Sequence, residues 1–171
     1  GVKIVMNCEV TPELIKEEKP DSVIIATGSK TLILPIEGID NPAIIHGSDL
    51  LDGKRAAGKK VLVVGGGMVG CETAAFLGEQ EHDVTVIEFR DTVGADVIHE
   101  HRVYLMKDFE DYGIKEITGA KVCKFYEDGV EYETADGVRH ESRGYDSVIL
   151  SMGFRNYNPL EEKIKDLVPE T

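Results

Sequence analysis

An apolar β-branched run that ends in a glycine-rich turn, strand and helix patterns that alternate after it, and two Asp-Gly pairs between short runs predict an α/β chain. The expected architecture is a parallel sheet that carries a three-stranded antiparallel β-meander. At 171 residues the chain is about the size of one domain and long enough to bury a real core. Its 42% hydrophobic and 30% charged residues are ordinary for a globular protein. No apolar run approaches the roughly 20 residues of a membrane helix. With 19 basic against 32 acidic residues the net charge is −13, a surface that repels phosphate backbones and anionic lipid. Neither a nucleic-acid nor a membrane partner is expected.

The stretch from Lys59 to Phe89 organises the rest. Val61 to Val64 reads as a strand buried on both faces. It runs into Gly65-Gly66-Gly67-Met68-Val69-Gly70, which places the G-x-G-x-x-G glycines at Gly65, Gly67 and Gly70. In a dinucleotide-binding turn the first glycine lets the strand bend sharply, the second keeps side chains off a pyrophosphate, and the third lets helix and strand pack closely. The helix that follows is expected to turn Val69, Thr73, Ala74, Phe76 and Leu77 inward. Its N-terminal N–H groups and positive dipole end would then face the phosphates. Val84 to Ile87 reads as the next strand, a Rossmann-like arrangement, and closes on Glu88, 23 residues after Gly65, where the fold presents an acid to the adenosine ribose. A glycine-rich turn that binds nothing is the bland alternative. Three glycines in six positions cost backbone entropy, which argues against it.

In chain order, Val2 to Met6 alternates like a strand, and the start at Gly1 without an initiator methionine suggests a piece of a longer protein. Thr11-Pro12-Glu13 opens a helix that runs to about Lys19 and stops at Pro20. Asp21 to Gly28 reads as a second buried strand, with Ala26, Thr27 and Gly28 at its tip. Ser29 to Pro42 reads as a connection, Ala43 to His46 as a short strand, and Ser48 to Leu51 as a brief helix before Gly53. Val97 to Tyr112 fits one helix with Ile98, Leu105, Met106 and Phe109 inward, and Ile114 to Ile117 returns as a strand. The meander is Lys121–Tyr126, Val130–Thr134 and Val138–Ser142, separated by Asp128-Gly129 and Asp136-Gly137. Asp146 to Ser151 is the last buried strand, and Leu160 to Leu167 reads as a polar helix.

Cys8, Cys71 and Cys123 share no short spacing, which leaves no C-x-x-C pair and no usual zinc or iron–sulfur pattern. Reduced thiols in a cytoplasm are the default reading. His46, His82, His99, His101 and His140 form no ligand set, so no metal residue is assigned. Cys71 has no base beside it in the sequence and reads as a buried structural thiol.

A strand ending in Ala26-Thr27-Gly28, the glycine turn with Glu72 two residues beyond it, an acid-ended second strand, a meander, and a similar ending at Ser151-Met152-Gly153 resemble the flavoprotein reductases with two dinucleotide-binding domains, the pyridine nucleotide-disulfide oxidoreductase superfamily. The wording of residues 58–77 and 148–158 is most similar to the FAD/NAD(P)-binding portion of the NADH:flavin oxidoreductases related to 2-enoate and 2,4-dienoyl-CoA reductase. The resemblance implies residues 1–53 as a partial FAD-binding-domain segment and linker, 54–152 as an NAD(H)-binding domain, and 153–171 as the return into the FAD-binding domain. It implies hydride transfer from NADH to FAD, with an iron–sulfur cluster and FMN in the parent enzyme. The chain departs from the pattern in lacking an earlier G-x-G-x-x-G, a later Gly-Asp segment, a barrel and cluster cysteines. FAD is therefore expected only in the intact parent, the partners are NADH and the missing FAD-binding and barrel segments, and the chain alone is expected to be inactive.

The cofactor residues assigned are Gly65, Gly66, Gly67, Met68, Val69, Gly70, Glu72, Glu88, Phe89, Arg90 and Gly153, with no catalytic side chain. Hydride transfer needs no protein acid or base, because the chemistry belongs to the cofactors. Glu88 favours NADH, since a 2′-phosphate would meet like charge; Arg90 leaves NADPH open. Glu72 reads equally as a helix-dipole partner or, by the resemblance, as a neighbour of the nicotinamide. Met68 and Val69 read as contacts over the cofactor or as core, and Gly153 resembles the glycine that ends the last strand near the nicotinamide. Two further functions stay open: a non-catalytic NAD(H)-binding or sensing module, and a segment of a disulfide-reductase-type flavoenzyme.

Overall fold

The computed structural model describes residues 1–168, which divide into two compact units, 1–30 with the residues from 154 on, and 31–153. In chain order the elements are α1 (Pro12–Glu18), β1 (Ser29–Thr31), β2 (Ile45–His46), α2 (Gly47–Leu51), β3 (Lys60–Val64), α3 (Met68–Glu79) and β4 (Asp83–Ile87). Then follow α4 (His99–Asp111), β5 (Lys115–Ile117), β6 (Lys121–Tyr126), β7 (Gly129–Glu133), β8 (Arg139–Ser142), β9 (Ser147–Leu150), β10 (Phe154–Asn156) and α5 (Glu161–Ile164).

The larger unit is built on a parallel sheet of order β2-β9-β3-β4-β5. Strand β3 is central, with Val61 to Val64 paired to Val84 to Ile87 on one side and to Ser147 to Leu150 on the other. Alternation explains why all four of its apolar residues are buried. Val61 and Val63 face a core made with Ala74, Leu77, Leu105 and Phe109 of the two helices. Leu62 and Val64 face a second core made with Phe125 and Val130 of the meander. The predicted strand buried on both faces is thus covered by helices on one side and by the antiparallel sheet β6-β7-β8 on the other. Each such residue contributes about 1.5–3 kcal/mol by leaving water.

The meander forms between the expected turns, but Gly129 serves it through space rather than through backbone freedom. A Cβ there would sit 2.0 Å from the carbonyl oxygen of Ser142 on β8. Residues 31–53 belong spatially to this unit, where β2 extends the sheet beyond β9 and Ile44, Ile45 and Leu50 enter its cores. The compact unit therefore starts before residue 54, the point at which the sequence marks the nucleotide-binding stretch.

In the smaller unit, Thr11 caps α1 by accepting the Leu14 N–H at 3.3 Å, and Lys19, left-handed at φ 48°, closes it directly before Pro20. Ile15, Ile164 and Val168 pack together with Val23, Ile25 and Leu160 around them. Two expected strands do not form here. Val2 to Met6 makes no ladder and is exposed, with Val2 at 91%. Asp21 to Gly28 is irregular rather than a buried strand, and Ile24 is 92% exposed. A strand is stabilised by its neighbours; among the described residues 2–6 pairs with none, and 21–28 is held only near its ends, by a single bridge at Ser22 and by the Tyr157 N–H on the Gly28 carbonyl at 3.1 Å. The C-terminal helix is shorter than Leu160–Leu167, covering Glu161–Ile164. Two further expectations are corrected in the larger unit: Phe76 on α3 is 42% exposed, and Ile98 lies outside α4 and is exposed.

Candidate functional site at the glycine turn

The site lies at the C-terminal edge of the parallel sheet, where β3 passes into α3. Gly65 has φ +104°, a conformation closed to other residues at low cost, and a Cβ on it would meet the Ser151 carbonyl oxygen at 2.4 Å. The end of β9 therefore lies against the first glycine, with Met152 beside it. Gly70 is held still more closely, since its Cβ would fall 1.8 Å from the Gly65 carbonyl oxygen. The turn is thus tight because of its own backbone, and Gly70 permits it.

Glu88 follows β4 and points at this turn. One carboxylate oxygen accepts the Gly66 N–H at 2.6 Å and the other the Arg90 N–H at 2.9 Å. Its backbone is held in line by its own N–H on Ile117 and its carbonyl under the Ala120 N–H. Glu88 and the glycine turn, 22 residues apart for Gly66, are thus brought together by adjacent parallel strands.

The other assigned residues spread around this pair. Met68 is exposed and Val69 half-buried at the start of α3. Phe89 and Arg90 are exposed just beyond Glu88. Gly153, at φ +92°, ends the strand β9 path, and its carbonyl accepts the Leu32 N–H at 2.9 Å. Glu72 points from α3 toward α4, where its carboxylate lies 3.3 Å from His101 Nε2, both half-exposed.

Cys71 is fully buried, and its Sγ donates to the Gly66 carbonyl at 3.3 Å. Burial pushes its thiol up to about 12, with the carboxylates Asp96, Glu116 and Glu88 adding to the effect. It stays protonated and packs as a small apolar group.

One residue of this site was not read from the sequence. Asp96 Oδ1 accepts the Met68 N–H at 3.0 Å, at the first turn of α3, and a Cβ on Gly67 would lie 3.0 Å from Asp96 Oδ2. An acid directly before a helical pattern reads as a cap of its own helix. Here α4 has Ile98 at its N-cap with no side-chain bond, and Asp96 caps α3 instead. No hydrogen bond among the described residues engages the N–H groups of Gly67 and Val69. Among the described residues no cluster of His, Cys, Asp or Glu is placed to hold a metal ion, and no helix is long and apolar enough to cross a membrane.

Residues 2–167 match the pyridine nucleotide-disulphide oxidoreductase family. The chain belongs to that family. Among its relatives, the bilirubin reductase of Mediterraneibacter gnavus is 36% identical over 84% of this chain and 22% of its own length. The NADH oxidase of Thermoanaerobacter brockii is 33% identical over 90% of this chain and 24% of its own. In structure the chain is similar to 2-naphthoyl-CoA reductase, at TM-score 0.80 and 32% identity, over 99% of this chain and 26% of that one. The chain spans about a quarter of the length of these proteins. The superfamily and the α/β fold read from the sequence are those found, and the relatives are oxidoreductases.

Within this family's chemistry the geometry is one of binding rather than of acid–base work. Gly65 and Gly70 let the turn close against Ser151 and against itself, and Gly67 leaves the backbone bare at the start of α3 opposite Asp96, the kind of turn that receives the diphosphate of a dinucleotide. Glu88 supplies the polar partner one strand over.

Proposed function

We propose that this chain is the NADH-binding portion of a flavin-dependent oxidoreductase in which NADH delivers hydride to FAD. The observation that carries the reading is the Glu88 carboxylate held 2.6 Å from the Gly66 N–H, so that ribose acid and phosphate turn form one site. Bound NADH supplies the hydride; the chain's own groups bind and orient it. The glycine turn and the start of α3 receive the diphosphate, Glu88 bonds the adenosine ribose, and Met68 and Val69 cover the cofactor. Glu72 and Gly153 lie toward the nicotinamide end, with Phe89 and Arg90 at the adenosine end. A 2′-phosphate would stand against the Glu88 charge, which favours NADH over NADPH.

FAD, and beyond it FMN and an iron–sulfur cluster, belong to the intact parent under this proposal. Residues 1–53 and 153–171 are then parts of its FAD-binding domain and linker, with 31–53 packed into the compact unit of the NAD domain 54–152; residues 169–171 lie outside those described. The exposed apolar side chains of Val2, Ile4, Met6 and Ile24 support the reading, because they call for covering by partner segments such as the FAD-binding and barrel parts. Free Cys8, Cys71 and Cys123 are in keeping with a reducing, cytoplasmic setting. Calorimetric titration with NADH and NADPH tests the binding claim, and tighter NADPH would overturn the cofactor assignment. Coexpression with the flavin-binding segments tests the rest: NADH-driven bleaching of a bound flavin is the expected result. NADH binding without bleaching would favour a non-catalytic NAD(H)-sensing module.

A further inference from the structure

We propose that the Asp96 carboxylate is the resident anion of the α3 mouth and must leave before a dinucleotide diphosphate can bind, so that loop 91–97 is a built-in competitor of the cofactor. The inference rests on the dinucleotide reading and adds a regulation of that site. Asp96 Oδ1 holds the Met68 N–H at 3.0 Å, and both carboxylate oxygens lie within 3.3 Å of where a Gly67 Cβ would be. The carboxylate thus stands over the backbone that the second glycine of the motif leaves bare. A carboxylate is stabilised at the N-terminus of a 12-residue helix by the same dipole that would hold a phosphate. Two anions at one N–H repel at contact distance, so they exclude each other.

The loop is held in place by more than this bond. The Gly94 N–H donates to the Gly66 carbonyl at 2.7 Å, and Val93 is fully buried against Gly66. Arg102 of α4 donates to Thr92 Oγ1 at 3.0 Å and to the Val93 carbonyl at 3.2 Å. Asp96 itself is exposed, on the Gly94–Val97 turn that the Val97 N–H closes on the Gly94 carbonyl at 3.2 Å, between two buried anchors, Val93 and Val97. The side chain can therefore swing into solvent while the anchors stay packed. Binding is weakened by the fraction of molecules in which the mouth is closed.

The test is calorimetric titration of NADH into the 171-residue chain and into Asp96→Asn, which keeps an acceptor oxygen and removes the charge. If the mouth is open about one-tenth of the time, removal of the competitor tightens NADH by up to about tenfold. Equal or weaker binding by a variant that unfolds at the wild-type temperature would overturn the proposal. Amide hydrogen exchange of the unaltered chain provides a second measurement: added NADH should slow exchange at residues 66–70 and leave 92–97 no slower, because only the Asp96 side chain moves. Slower exchange in both segments would mean that the loop closes over the cofactor, and the proposal fails. If NADH binds to neither protein at millimolar concentration, the dinucleotide reading fails and the competitor role falls with it. NADH binding to both with unchanged affinity removes the competitor role alone.

Discussion

Strand β3 and the segments 2–6 and 21–28 carry nearly the same local signal and meet opposite fates. Val61 to Val64 is continuous, apolar and mostly β-branched, and Val23-Ile24-Ile25 is likewise continuous, apolar and β-branched. The first is buried throughout, whereas Ile24 is 92% exposed. What separates them is pairing. β3 lies between β4 and β9, and each of its faces meets a separate core. Apolar β-branched sequence fits a pleated, covered surface, but the surface has to be supplied by other strands. In the smaller unit α1 and α5 bury Ile15 and Ile164 against each other, and the apolar segments beside them have no ladder.

The largest effect that can break this contrast is at Gly70. A Gly70→Val substitution sets a β-branched side chain where even a Cβ would be 1.8 Å from the Gly65 carbonyl oxygen, so the turn has to open. The expected cost is about 3 kcal/mol or more, at the upper end for overpacking, measured by urea unfolding. Leu62→Ala leaves a cavity between β3 and the meander and should cost about 2–5 kcal/mol. The same truncation at Ile4, exposed in the smaller unit, should cost under about 0.5 kcal/mol. Equal losses at Leu62 and Ile4 would mean that segment 2–6 is covered in solution and that the contrast is false.

Glu88→Ser sharpens the comparison at the level of the site. It removes the acceptor from the Gly66 N–H and the proposed ribose partner in one step. NADH affinity should fall about tenfold or more, in line with a charged hydrogen bond of roughly 1.5–3 kcal/mol, and the margin over NADPH should narrow. An unchanged ratio in paired titrations would show that Glu88 braces the turn and nothing else.

These residues also show what the sequence could carry. The glycine turn, both flanking strands and Glu88 were legible because every constraint on them is local: β-branched runs, a fixed spacing and glycines that no side chain can replace. The meander was legible for the same reason, from its turns. Strand pairing in residues 2–6 and 21–28 was not, because it depends on neighbours that periodicity cannot report. The inward face of α3 was misread at Phe76, since the helix meets its surroundings through small residues: Gly70, Ala74, Ala75 and Gly78 are buried while the larger Phe76 is half exposed. Asp96 escaped notice because proximity in sequence points to α4, whereas the loop returns it to α3.

The cysteines extend the contrast to reactivity. Cys8 in the smaller unit is exposed, and Cys71 in the larger one is buried with its thiol pushed up to about 12. At pH 8 a disulfide reagent should label Cys8 rapidly and Cys71 only as the larger unit unfolds. Because the folded pKa lies above the unfolded value near 9.0, the Cys71 contribution is intact below about pH 9 and lost as pH rises toward 12. Alkaline unfolding that is unaltered in Cys71→Ala would show that this thiol does not set the limit.

The smallest expected effect is the most discriminating about residues 21–28. Ile24→Ala removes an apolar side chain that is already in water, so neither transfer nor cavity contributes, and the unfolding midpoint should move by less than an equivalent of about 0.5 kcal/mol. Its neighbours Val23 and Ile25 are half-buried against the Ile15–Ile164 cluster, so Ile25→Ala should cost more. The sign of that difference matters more than its size. If Ile24 proves the costlier of the two, the segment turns its other face inward in solution, and its side-chain alternation is that of a covered strand.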